Sequence, residues 1–124
     1  MCIWYNPGKI RKGSAVGKTL CIDFDDTLYN RSNEEPVSGA AEALQTLKSD
    51  GYTILILSSR VNPELWGDCV SFRKKEIADW MEQFNIPYDK IVAFKPPADL
   101  YIDDKGYRFQ GNWDMVLADI KKLL

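Results

Sequence analysis

Histidine is absent from the 124 residues. That absence removes Ser-His-Asp and Cys-His triads and every histidine-based zinc site, leaving carboxylates, lysine and thiols for any chemistry. Three cysteines, Cys2, Cys21 and Cys69, share no close spacing. They fit reduced thiols in a cytoplasm better than a disulfide framework or a zinc cluster. No apolar run approaches the roughly twenty residues that span a bilayer. No long apolar stretch precedes a small-residue cleavage site near the amino terminus, so the chain reads as soluble and cytoplasmic. An excess of one charge sign is also missing: sixteen basic residues face eighteen acidic ones, a formal charge of -2. Such a balance argues against a dedicated nucleic-acid or membrane surface, though it leaves room for a local patch. Repeats and low-complexity segments are absent, and the length suits one domain with a single core.

The chain has one unusually costly stretch, Leu20-Cys21-Ile22-Asp23-Phe24-Asp25-Asp26-Thr27-Leu28-Tyr29. Residues 20 to 22 read as a short buried strand that ends in three carboxylates. Side chains at i and i+2 of an extended segment share a face, so Asp23 and Asp25 converge while Asp26 points away. Two carboxylates that close repel unless a cation lies between them or one keeps its proton. The bland alternative is a solvated acidic turn.

Residues 1–18 carry Pro7, Gly8, Gly13 and Gly17 and read as an irregular lead-in that Trp4 and Tyr5 would pin to the core; a single catalytic domain follows over 19–124. The stretch Gly13 to Thr19 has three residues between its glycines where a phosphate loop needs four, and it runs into a strand instead of opening a helix. Asn30 to Ser38 is a polar loop able to lie over the acidic cluster. Ser38 is the expected cap of a helix from Gly39 to Ser49, with Ala40, Ala43, Leu44 and Leu47 on one face and Gly51 beyond its end. Tyr52 to Leu57 is continuously apolar, as in a parallel strand covered on both faces, and stops at Ser58-Ser59-Arg60. A connection through Pro63 and Gly67 leads to a helix over Val70 to Phe84 with Phe72, Ile77, Trp80, Met81 and Phe84 inward. Strands at Ile91 to Phe94 and Leu100 to Ile102 follow, the second expected to be buried and stopped by Asp103 and Asp104. A last helix from Asn112 would turn Trp113, Val116, Leu117, Ile120 and Leu123 inward.

The alternation of strands and helices predicts an α/β fold, a three-layer Rossmann-like parallel sheet with helices on both faces. Ligands of such sheets sit at the carboxyl ends of the strands. Asp23 and Asp25, Ser58 and Arg60, Lys95, and Asp103 and Asp104 all fall just past a strand end, so one fold brings four polar clusters to one edge.

These residues resemble the haloacid dehalogenase-like phosphatases. Asp23-Phe24-Asp25-Asp26-Thr27 has their D-x-D-x-T form after an apolar strand. Thr53 to Ser58 resembles the second motif, Lys95 before Pro96 the third, and Tyr101-Ile102-Asp103-Asp104 the fourth. The resemblance covers about residues 19 to 110 and is similar to the short bacterial and phage members. Only nine residues separate Tyr29 from Gly39, so no large cap domain is expected.

A phosphate ester needs an in-line nucleophile, an acid for the leaving oxygen and positive charge around the phosphoryl group. Asp23, the first acidic residue past the strand, is the expected nucleophile, forming an aspartyl-phosphate. Asp25 is the expected general acid and later the base that activates water. Several carboxylates beside an anionic substrate call for a cation, and all-oxygen ligands favour magnesium. Asp23 and Asp104 are assigned as its direct ligands, with Asp103 a ligand or a partner of the ligands. The resemblance implies the backbone carbonyl of Asp25 as a third protein ligand. Ser58 and Lys95 would hold phosphoryl oxygens; Arg60 and Lys105 either touch substrate or are merely solvated. Two alternatives stand beside a phosphomonoester hydrolase: a polynucleotide-end phosphatase, and a phosphate-binding or regulatory module that turns nothing over. Without a cap, either the phosphorylated substrate is extended or macromolecular, or a neighbouring copy of the chain covers the site.

Overall fold

In the computed structural model of the protein, residues 16–124 are described; Cys2, Trp4 and Tyr5 lie outside them, as does the start of the glycine-containing stretch at 13–19. Among the described residues four short strands, β1 (Thr19–Asp23), β2 (Thr53–Leu57), β3 (Lys90–Val92) and β4 (Leu100–Ile102), form one sheet. All three pairings are parallel and the order is β3-β2-β1-β4. The helices are α1 (Ala40–Ser49), the short α2 (Pro63–Trp66), α3 (Val70–Gln83) and α4 (Trp113–Leu123). The fold class is therefore the expected Rossmann-like parallel α/β arrangement, with no cap-sized insertion among the described residues. No described helix is long and apolar enough to cross a membrane.

Register decides which residues make the core. Leu20 pairs with Ile54, and Ile22 with Ile56 on one side and Ile102 on the other. Paired residues point to the same face of a parallel sheet. Leu44 of α1 and Ile77 and Met81 of α3 join Leu20, Ile22, Ile54, Ile56 and Ile91 in one buried cluster. The Gln45 side chain donates to the Asn85 carbonyl at 2.8 Å, tying α1 to the end of α3, so the two helices lie side by side over that face. The other face is less evenly covered: Cys21 is buried, but Leu55 and Leu57 are only half-buried. β2 is thus not shielded equally on both sides as its continuous apolar run suggested.

Several expectations are corrected. Ser38 does not cap α1; the cap position is Gly39 at φ 84, with no side-chain hydrogen bond. A left-handed residue there is inexpensive only as glycine. Phe72 faces solvent, because α3 uses the narrower stripe of Ile77 and Met81, flanked by half-buried Trp80 and Phe84. β4 is an edge strand with all three residues exposed. α4 begins where expected, Asn112 accepting from the Met115 amide at 3.1 Å, yet only Val116 of its apolar residues is buried.

Candidate active site

The chain leaves β1 for β2 and β3 on one side, then returns to lay β4 on the other, so the sheet changes direction at the β1–β4 boundary. That boundary is where open α/β sheets hold ligands. Asp23 ends β1, and Asp104 follows β4 by two residues. Their side chains come within hydrogen-bonding reach. Burial, the charge and contact of Asp104, and the charge of Asp25 push the Asp23 carboxyl up to about 6. The Thr27 hydroxyl lies 3.4 Å from Asp23 Oδ2, a long contact that orients more than it binds.

The turn after β1 is built by one carbonyl. Phe24 O accepts from the amides of Leu28 and Tyr29 at 3.0 and 2.9 Å, curling the chain under the strand end. Asp26 takes φ 59 in this curl and points away, as expected, gripping Arg31 (Nε to Oδ2, 2.7 Å). Hydrogen bonds from the Arg31 amide and side chain hold the Asp26 carboxyl below its ordinary range. Single bridges join Tyr29 to Asp25 and to Pro36, making the loop 30–36 a small flap. Trp80 Nε1 donates to the Glu34 carbonyl at 2.9 Å and pins this flap to α3.

Asp25 and Asp23 do leave the strand together, but Asp25 is claimed by Arg60. The guanidinium meets it as a fork, Nη2 to Oδ1 at 2.7 Å and Nε to Oδ2 at 3.1 Å. It also lies 4.7 Å from the Tyr29 ring centroid and 5.4 Å from that of Phe24. An arginine fixed by a bidentate carboxylate and two rings is held in place, not solvated. Sequence reasoning left Arg60 undecided. The signal lay in the register: Asp23 pairs with Leu57, so two residues further along each strand end Asp25 faces the neighbourhood of Ser59 and Arg60.

Ser58 is buried at the end of β2, its amide bonded to Val92 O at 3.1 Å. Its hydroxyl oxygen accepts from the Arg60 amide, which leaves the hydroxyl proton to be donated. Lys95, expected to hold a phosphoryl oxygen, has its ammonium over the Tyr101 ring, 4.3 Å from the centroid. Asp103 is turned inward on its own loop, its Oδ1 taking the amides of Lys105 and Gly106. That geometry makes Asp103 the organiser of the loop that presents Asp104.

Among the described residues no three acidic or cysteine side chains converge as a ready metal cage. The facing Asp23 and Asp104 carboxylates still form an all-oxygen pair suited to a hard divalent ion that brings its own water. Beside Arg60 a cavity of about 310 Å³ opens between the flap and α3, walled by Tyr29, Trp80 and Phe84 with Glu34, Glu76 and Gln83.

No family model matches the chain, and no curated protein matches it. Among solved structures it is similar to the crystal structure of an MCSG target from Vibrio cholerae, at 25% identity and a TM-score of 0.50. The match covers 86% of this chain and 99% of that one, and it supports the fold.

Proposed function

We propose that this chain is a magnesium-dependent phosphomonoester hydrolase of the haloacid dehalogenase-like kind, acting in the cytoplasm through an aspartyl-phosphate. The observation that carries the reading is the facing pair Asp23 and Asp104 at the boundary where the sheet changes direction. A half-buried carboxyl pushed up to about 6, first by desolvation and then by a second carboxylate, is what a site completed by a cation and an anionic substrate would show.

Asp23 Oδ attacks phosphorus in line, and the bond to the leaving oxygen breaks as that oxygen takes a proton from Asp25. Water, losing its proton to Asp25, then displaces Asp23 and releases phosphate. Arg60 serves Asp25 as a positioning residue: it keeps one carboxyl oxygen and releases the other, which carries the proton to the leaving group. The Ser58 hydroxyl donates to a phosphoryl oxygen. Lys95 swings off the Tyr101 ring to meet another, at the modest cost of a surface cation-ring contact. A magnesium ion on Asp23, Asp104 and the Asp25 carbonyl would supply charge neutralisation for the approaching phosphate, with Asp103 holding the loop that carries Asp104.

Turnover of an aryl phosphate by the purified protein tests this. Activity should require magnesium, and Asp23→Asn should lose at least about a thousandfold, on the order of 4 kcal/mol of barrier. Asp25→Asn should still form the phosphoenzyme and fail to hydrolyse it at the normal rate. Substantial turnover by Asp23→Asn, or by wild type in chelator, would sink the mechanism.

A further inference from the structure

Trp113, Leu117 and Ile120 of α4 and Leu124 just past its end stand at spacings of four, three and four. Residues so spaced form one stripe along a helix. All four are exposed, Trp113 by 69% and Leu117 by 60%, and Leu123 beside them by 68%. Phe109 extends the stripe, its ring 5.1 Å from that of Trp113 and half exposed. Such a stripe marks a face that packs against something, and a solvent face would not repeat it.

We propose that the stripe seats a second copy of this chain, the two α4 helices lying antiparallel across a two-fold axis. Charge is the first argument. Asp114 stands in the first turn of α4, and Lys121 and Lys122 in the last. Antiparallel pairing sets Asp114 of each copy opposite Lys121 of the other and opposes the two helix dipoles, whereas parallel pairing stacks like ends on like. Area is the second. Trp113, Leu117, Ile120, Leu123 and Phe109 together expose roughly 600 Å², most of the roughly 800 Å² that each side gives a stable interface, with the charged rim adding more. Symmetry is the third, since a self-complementary patch closes as a dimer and leaves no sticky end. The proposal is independent of the catalytic reading.

Sedimentation of the full chain over about 1 to 100 µM should show a monomer–dimer equilibrium. Leu117→Glu should move its midpoint at least about tenfold higher in concentration. Asp114→Lys should weaken it several-fold, and adding Lys121→Asp should restore it, a rescue that misfolding cannot imitate. Amide exchange along α4 should slow as concentration rises. A monomer throughout, a dimer indifferent to Leu117→Glu, or α4 protection that ignores concentration, as when the chain's own residues cover the stripe, would each overturn the proposal.

Discussion

A carboxyl pushed up to about 6 costs the fold something whenever it is ionised. Asp23 in the folded chain holds its proton more tightly than in the unfolded chain, so the penalty is absent below the unfolded carboxylate value near 4. It grows as pH rises through 6. Asp23→Asn should therefore stabilise the metal-free protein at pH 7, by on the order of 1 kcal/mol once solvent screening of this half-buried group is allowed for. Thermal unfolding in chelator should show the gain at pH 7 and little of it at pH 4, and magnesium should recover it for the wild type alone. Arg60 gives the second test at this scale. Arg60→Lys keeps the charge but not the fork, so kcat should fall by about ten- to a hundredfold with KM little changed. Asp23 and Asp104 could be singled out because one ends an apolar strand and the other follows one by two residues. Arg60 was harder to read because its partner lies 35 residues away and only the register brings them together. For Lys95 the pull of the Tyr101 ring, six residues on, is a contact that no motif encodes.

At the scale of elements, periodicity located β1, β2, α1 and α3 nearly to the residue, because Ile54, Ile56, Ile77 and Met81 have no option but burial. Ile56→Ala should cost about 2 to 5 kcal/mol and Phe72→Ala under about 0.5 kcal/mol, as read by denaturant unfolding. What failed was the assumption that an apolar stripe faces its own core, since β4 and α4 show the same pattern while exposed. Sequence gives the stripe; only the available neighbours decide what it meets. One polar clamp ties the elements together: Lys48 of α1 reaches both oxygens of Asp89 at 2.9 and 2.7 Å and the Tyr52 carbonyl at 2.9 Å. Asp89 Oδ2 in turn accepts the Ile54 amide at 2.7 Å. Burial raises the Asp89 carboxyl, but Lys48 and the Ile54 amide outweigh it and hold it below the ordinary range. Its stabilisation is full above the unfolded carboxylate value and is lost as pH falls through the lower folded one. Asp89→Asn should thus cost up to about 1 kcal/mol at pH 7 and almost nothing near pH 2, the ceiling set by its exposure.

For the whole molecule, parallel pairing is what brings the ends of four strands to one edge, and alternation of elements was enough to anticipate that pairing, though not the strand order. The flap is too small to seal that edge, so the phosphatase reading predicts that phosphorylated oligomers and small aryl phosphates are turned over with kcat/KM values within about tenfold of each other. A strong preference for one small sugar phosphate across a substrate panel would contradict an open site. The same strand order bears on how the protein is made. The Thr19 amide donates to Asp99 across 80 residues of sequence, so the strand that ends in Asp23 is synthesised early and its neighbour β4 late. A ribosome-bound chain that has folded β1, α1, β2 and α3 has Asp23 in place with no Asp104 beside it. Long-range closure is the slow step of such folding. The facing pair of carboxylates is therefore completed last, and a chain cut short before β4 would keep Asp23 without its partner.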